Sequence, residues 1–313
     1  MTPKPVGRPL GNEPVGLCGA GNMGAAIAER LAGQGPVLVY DPDPTRTGVI
    51  QKLPGVSAAA SLEEIGTLKR VVFSLPSPEV SLQVCSVIAP LMPADGIVLE
   101  TSTVTPADAR RTRDVCHSAS TGFVDVAVLS GVVQMRTGQA TLLVGGSDEE
   151  VCQVEDVLAV LGSRVWLFGD AGAGMAVKVV NNAVAHAVMV LLVEAAMMAK
   201  SAGVEPRRLA ELLSDPEAGL MRPLTHRLLE RVLHEDYAGG MPTQAARKDS
   251  LLALDMAHDA DVPLFVMSGA HTVYDLAVAS GSAREDYAAI ARLWTTWTGR
   301  SLSDGHTPGP QDD

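Results

Sequence analysis

The run from Gly169 to Gly203, GDAGAGMAVKVVNNAVAHAVMVLLVEAAMMAKSAG, restricts the fold more than any other stretch of the chain. Gly169, Gly172 and Gly174 enter it at G-x-x-G-x-G spacing, no Gly or Pro interrupts 175–202, and Gly203 ends it. This composition predicts one long helix with a glycine-built entry and a glycine stop. Ala, Val, Met and Leu occupy nearly every side of it, so most of the helix is expected to be buried. Lys178 and Asn182 stand one turn apart on a single face. An unpaired ammonium in an apolar surface is costly, which marks Lys178 as a candidate for chemistry. A lysine there also has two plain alternatives: snorkelling to water, or pairing with a distant carboxylate.

The most apolar part of the run, Ala183–Ala199, is interrupted by His186 and Glu194 and flanked by Lys178 and Lys200. It is therefore expected to be a core helix of a soluble protein and not a membrane span. A net charge of −12 with no basic run argues against nucleic-acid and anionic-membrane partners. Cys18, Cys85, Cys116 and Cys152 are scattered, with no CxxC and no histidine pairing. That pattern implies free thiols in a reducing, cytoplasmic setting and no metal site. A chain of 313 residues has room for two domains. Residues 1–13 and 303–313 are expected to form a disordered lead-in and tail.

The ordered fold is expected to begin at Val15. VGLCGAGNMGAAIAERLAGQG reads as a strand, a glycine turn and an amphipathic helix, with Gly19, Gly21 and Gly24 at G-x-G-x-x-G spacing. The first glycine permits the tight turn, the second lets a pyrophosphate approach the backbone, and the third packs helix on strand. A second strand, PVLVYD, ends in Asp41, 22 residues after Gly19. That is the position of a carboxylate that binds the adenosine ribose. Asp41 accepts from a 2′-hydroxyl and repels a 2′-phosphate, which favours NAD. Arg46 leaves NADP possible, although Pro42 and Pro44 stiffen the path to it.

Alternation then continues. Helices are predicted over Leu62–Leu68, Pro78–Leu91, Pro106–Ser118 and Asp148–Leu161. Strands are predicted over Arg70–Leu75, Gly96–Glu100, Gly122–Val128, Thr141–Val144 and SRVWLFG. This pattern predicts an α/β fold, a Rossmann-type doubly wound, mostly parallel sheet over 14–169. Ligand then binds where the loops after Leu75, Glu100 and Val128 meet. The rest, 170–302, is predicted to be an all-α substrate and dimerisation domain joined by the long helix. Its later helices are expected at Glu205–Leu213, Pro223–Leu233, Ala246–Ala260, Phe265–Ser280 and Glu285–Trp294. So much apolar surface on one helix points to a homodimer or homotetramer.

Six motifs in order resemble those of the β-hydroxyacid dehydrogenases, the group of 3-hydroxyisobutyrate, tartronate semialdehyde and L-threonate dehydrogenases, with 6-phosphogluconate dehydrogenase more distant. GLCGAGNMG resembles the family's nucleotide loop, which implies cofactor contacts at Gly19, Ala20, Gly21, Asn22, Met23 and Gly24. SLPSP and TSTVTP resemble the two loops flanking the nicotinamide, implying roles for Leu75, Pro76 and Thr103. GDAGAGMAVKVVNN is similar to the catalytic signature, which implies that Lys178 is the general acid–base and Asn182 its orienting partner or a substrate ligand. RKDSLLAL resembles a later segment in which Lys248 closes over cofactor or substrate with Asp249 beside it. REDYAAI resembles the C-terminal one. The family's substrate loop reads D-A-P-V-S-G-G, whereas this chain has DVAVLSG. Leu129 falls where the resemblance implies a carboxylate-binding serine, leaving Ser130 and Gly131 as the candidate substrate contacts. The implied activity is hydride transfer between NAD(P) and a small acidic substrate, a β-hydroxy acid. An imine reductase and a non-catalytic dinucleotide-binding protein are the alternatives.

Overall fold

A computed structural model describes residues 10–303. Of the expected lead-in and tail, residues 1–9 and 304–313 lie outside the described residues. The chain divides into two compact units, the first ending at Ala183 and the second beginning at Val184.

The first unit opens with β1 (Val15–Cys18), α1 (Asn22–Ala32) and β2 (Val37–Tyr40). All four residues of β1 are buried, as suits a strand covered on both faces. Then come α2 (Pro44–Ile50) and β3 (Val56–Ala58), two elements absent from the sequence reading. Pro44 occupies the first turn of α2, and the Asp43 carboxylate caps it by accepting the Thr45 N–H. Here proline starts a helix, because its fixed φ and missing N–H both suit the first turn.

The expected alternation follows: α3 (Leu62–Ile65), β4 (Arg70–Phe73), α4 (Pro78–Ile88), β5 (Ile97–Glu100), α5 (Pro106–Ser118), β6 (Gly122–Val128) and β7 (Ala140–Gly145). A short helix absent from the sequence reading, α6 (Val132–Arg136), fills the β6–β7 connection. The expected single helix over Asp148–Leu161 is two, α7 (Asp148–Gln153) and α8 (Glu155–Leu161). They part at Val154, whose φ of −120° and ψ of 10° lie outside the helical well. β8 (Gly162–Leu167) completes one eight-stranded sheet, in the order β3-β2-β1-β4-β5-β6-β7-β8. Every pairing is parallel except β6 with β7.

Alternate strand residues feed two hydrophobic clusters: Leu17, Val72, Leu99 and Val126 enter one, and Cys18, Phe73, Val98 and Phe123 the other. Burying each Leu- or Phe-sized side chain contributes about 1.5–3 kcal/mol. The order reverses between β1 and β4, which places the crevice of this fold class at the carboxyl ends of those strands. All four cysteines are free thiols and three of them are buried.

Helix α9 (Ala173–Ser201) runs 29 residues, and the division between units falls within it. The second unit continues with α10 (Pro206–Leu213), α11 (Thr243–Asp259), α12 (Val266–Ala277) and α13 (Ala291–Thr298). The expected helix over Pro223–Leu233 is a π-turn at Pro223–Leu229 followed by a 3-10 turn at Val232–His234. A further π-turn, Val278–Ser282, follows α12 and carries Gly281 at a φ of 97°. Asp286 is fully buried and organises this end of the unit. Its carboxylate lies 3.0 Å from Arg227 Nε and accepts the N–H groups of Met241 and Ala288.

The expected burial of α9 is not met within a single chain. Within a single chain, only Gly174, Met175 and Glu194 of α9 are buried. Val180, Val184 and Met189 are 62%, 57% and 59% exposed. The composition that demands burial is present, but this chain alone does not supply the cover.

Candidate active site

The glycine loop between β1 and α1 shows which of its glycines the protein itself requires. Gly19 has a φ of 101°, and a Cβ there would lie 2.1 Å from the Ser74 carbonyl oxygen. A Cβ at Gly24 would lie 2.0 Å from the Gly19 carbonyl oxygen. Both positions exclude any side chain. At Gly21 the added Cβ meets nothing within 4 Å. Gly21 is also the N-cap of α1, with no side chain capping the helix. The first turn of this 11-residue helix thus has no side-chain cap, and the space beside Gly21 is open. These features fit a dinucleotide pyrophosphate, which needs donors and a close backbone approach.

Asp41 follows β2 and closes the loop from the other side. Its Oδ2 accepts the Ala20 N–H at 2.7 Å and its Oδ1 the Asp43 N–H at 2.9 Å. The same carboxylate that would receive ribose hydroxyls thus ties β2 to the glycine loop. Arg46 stands 3.7 Å from Asp41 Oδ2, and its own side chain is 55% exposed.

The loops after β4 and β5 are joined to each other. The Leu75 N–H donates to Ser102 Oγ at 2.8 Å, so the SLPSP and TSTVTP segments form one surface. Thr103 is exposed on it, Pro76 is exposed and Leu75 half-buried.

Helix α9 starts on strand β6. The Asp125 carboxylate, fully buried, accepts the Gly172 and Met175 N–H groups. That acceptor satisfies donors at the helix entry and complements the positive end of its dipole. A Cβ at Gly174 would lie 2.4 Å from the Leu143 carbonyl oxygen, so the entry glycines let α9 sit directly on the sheet. Asp125 stands in the quoted DVAVLSG segment but had been given no role. A carboxylate in a run of Phe, Val and Ala was the available signal.

The consequence is the placement of Lys178, in the second turn of α9. Its Nζ donates to the Val128 carbonyl at 2.9 Å, and its side chain is half-buried. Burial holds its pKa below the ordinary lysine value. Asn182, one turn on, is half-buried too.

Beyond Val128 the substrate-loop candidates behave differently from one another. Ser130 Oγ donates to the Leu129 carbonyl at 2.7 Å and accepts the Thr141 N–H at 3.0 Å, so its hydroxyl braces the loop. Gly131 is exposed, and Leu129 packs on the second core cluster. Within the first unit, the structure gathers Gly19–Gly24, Asp41, Leu75, Thr103, Ser130 and Lys178 at the carboxyl ends of β1, β2, β4, β5 and β6. Lys248 and Asp249 belong to the second unit. There they are exposed on α11 and ion-paired to each other at 3.0 Å.

Comparison with known proteins finds relatives along nearly the whole chain. Residues 14–169 match the NAD binding domain of 6-phosphogluconate dehydrogenase, and residues 172–294 match the NAD-binding domain of NADP-dependent 3-hydroxyisobutyrate dehydrogenase. Among curated relatives, 2-(hydroxymethyl)glutarate dehydrogenase of Eubacterium barkeri is 28% identical, over 93% of this chain and 98% of that protein. Among solved structures, Mycobacterium tuberculosis 3-hydroxyisobutyrate dehydrogenase with L-serine aligns at a TM-score of 0.64 and 24% identity, over 90% of this chain and 99% of that one. A Myxococcus stipitatus imine reductase variant in complex with NAD+ aligns at 0.80 and 18% identity, over 90% and 99%.

Proposed function

The chain belongs to the β-hydroxyacid dehydrogenase family, and from that premise we propose that it oxidises a small β-hydroxy acid with Lys178 as the general acid–base. The observation that carries this reading is the Lys178 amine, half-buried and fixed to the end of β6 by the Val128 carbonyl. A nicotinamide dinucleotide supplies the hydride acceptor and donor when bound. The chain's own residues do the rest. Gly19–Gly24 and the uncapped start of α1 hold the pyrophosphate, and Asp41 receives the ribose hydroxyls. Lys178 in its neutral form takes the substrate hydroxyl proton at Nζ during oxidation and returns it during reduction. Asn182 steadies the amine or the substrate hydroxyl from one turn away. The family resemblance gives Lys248, with Asp249 beside it on α11, a role toward the acidic group or the cofactor.

Asp41 supports NAD as the preferred cofactor. Arg46, within 3.7 Å of it, keeps NADP as a usable second. Leu129 and the committed Ser130 hydroxyl support a substrate with apolar bulk facing the loop and its carboxylate bound elsewhere. We further propose a cytoplasmic homodimer or homotetramer, with no nucleic-acid or membrane partner.

The test is absorbance of the reduced nicotinamide, with NAD and then NADP. The panel holds 3-hydroxyisobutyrate, glycerate, L-threonate, serine and 6-phosphogluconate, and a cyclic imine run in reverse. Reduction of NAD by one hydroxy acid is the expected result. Activity on the imine alone would favour the second reading, an imine reductase, which the altered loop at Leu129 supports. Cofactor binding without turnover across the panel would favour a non-catalytic dinucleotide-binding protein.

A further inference from the structure

Asp125 stands in the middle of β6, between Val124 and Val126, with no solvent exposure. A carboxylate persists in such surroundings only where hydrogen-bond donors meet it. Both donors come from the start of α9: Oδ1 accepts the Gly172 N–H, and Oδ2 accepts the Met175 N–H at 2.8 Å. The neighbouring backbone leaves room for these two oxygens and no more. Gly145 is the register partner of Asp125 on β7, and a Cβ there would lie 2.5 Å from Oδ1. A Cβ on Gly174 would lie 2.9 Å from Oδ2. An ordinary side chain at either position displaces the carboxylate.

Three residues further along each element, strand and helix meet again, where Lys178 Nζ donates to the Val128 carbonyl at 2.9 Å. Asp125 and Val128 of β6 thus face Met175 and Lys178 of α9 at equal spacing. The second contact is one bond from the tip of a flexible four-carbon stem, which does not fix the register of a 29-residue helix. The first grips two backbone N–H groups and does. A helix that slips by one residue moves about 1.5 Å and turns about 100°, which carries Lys178 off the Val128 carbonyl. We propose that Asp125 is a positioning residue for Lys178, setting the register of α9 on β6 that delivers the amine to the end of the strand. The proposal rests on the acid–base reading of Lys178 given above. Fully buried, Asp125 acts through the lysine and not on the substrate. Without its grip Lys178 leaves its half-buried place, and its pKa rises toward the ordinary lysine value.

Oxidation of the hydroxy acids named above with NAD tests this in wild type, Asp125→Asn, Lys178→Ala and the double variant. Asparagine keeps the volume and one acceptor, but turns an NH2 group toward the other backbone donor. Asp125→Asn is expected to lower kcat roughly 10- to 10²-fold, the scale of an ångström-sized misplacement, while KM and dinucleotide affinity stay within about twofold. The pH midpoint of oxidation should move up as the amine loses its burial. In the Lys178→Ala background the same substitution should cost less than about twofold, because the group that Asp125 positions is already gone. A merely structural role would instead multiply the two losses. An equal cost in both backgrounds would overturn the proposal, as would an Asp125→Asn protein with wild-type kcat and pH midpoint. Amide hydrogen exchange in wild type needs no variant to fold. The Gly172 and Met175 N–H groups should be protected like those of β6, and exchange at the rate of open amides would remove the grip. Wild-type turnover in Lys178→Ala, or no turnover in wild type, would remove the acid–base reading and the role of Asp125 with it. Collapse of Lys178→Ala beside an unchanged Asp125→Asn removes the Asp125 proposal alone.

Discussion

The Lys178 amine donates to the Val128 carbonyl across 2.9 Å, which fixes the proposed acid–base to the strand that leads into the substrate loop. A carbonyl accepts from an ammonium or from a neutral amine, so this contact holds the group in place without demanding that it stay charged. Burial is the cause of its lowered pKa.

Replacing Lys178 by alanine should therefore lower turnover by roughly 10²–10⁴-fold while dinucleotide binding persists. In wild type the rate of alcohol oxidation should rise with pH through the lysine's lowered pKa, because the base is the neutral amine. The reductive direction should fall over the same range. Steady-state rates across pH in both directions check this. Turnover of the alanine variant within about threefold of wild type would remove Lys178 from the acid–base role.

Asp41 accepts the Ala20 and Asp43 N–H groups, and its proposed second duty is toward the ribose. Asp41→Asn keeps the shape but removes the negative charge that opposes a 2′-phosphate beside Arg46. The ratio of NAD to NADP affinity should shift toward NADP by roughly tenfold, the scale of one charge-assisted contact. An unchanged ratio, read by titrating both cofactors, would mean that Asp41 serves the glycine loop alone.

Much of this architecture is legible in the residues, for particular reasons. Helix α5 is bounded by Pro106 and Ser118 as expected, since Thr105 and Asp108 form a capping box at its start. Strand β6 keeps its expected bounds as well, ending just before the loop that carries Leu129. Helix α6 is not legible, because five residues beginning VV carry no helical period. The π-turn at Pro223–Leu229 has the composition of an ordinary helix, and only tertiary contacts distinguish the two. At the candidate site, motif spacing singled out Lys178 and Asp41 as candidates, and the structure bonds the first to the end of β6 and the second to the glycine loop. It could not identify Asp125 or Ser102, whose partners lie on other elements and loops.

Glu194 does work inside the second unit that its place in an apolar run disguises. Its carboxylate accepts the N–H groups of Phe265, Val266 and Met267 at the start of α12. Burial pushes its pKa up, but those three donors more than offset burial and hold it below the ordinary value. A depressed carboxylate stabilises above its unfolded pKa, and that stabilisation is lost as pH falls through the folded one. Glu194→Ala should cost about 1–2 kcal/mol near neutrality, the size of a lost helix cap. The difference from wild type should shrink in acid. Urea unfolding at neutral and acidic pH measures both, and an equal stability of the two proteins at neutrality would contradict the capping role.

The exposed stripe of α9 leads to the last expectation. Met189, Val193 and Met197 recur every four residues and are 59%, 51% and 50% exposed, so they lie along one face. By length and composition α9 is also apolar enough to cross a membrane. Two features favour a second copy of this chain as the cover. Glu194 lies within the apolar run, committed to α12, and His186 lies on the segment that a bilayer would have to enclose. Burying Val- and Met-sized side chains contributes about 1.5–3 kcal/mol each, so Val193→Asp should weaken association by about 3 kcal/mol, or roughly 10²-fold. Light scattering should give two or four chains for wild type and a shift toward one for Val193→Asp. A wild-type monomer in plain buffer would leave the stripe without this partner, and a protein recovered only in detergent would transfer it to the membrane.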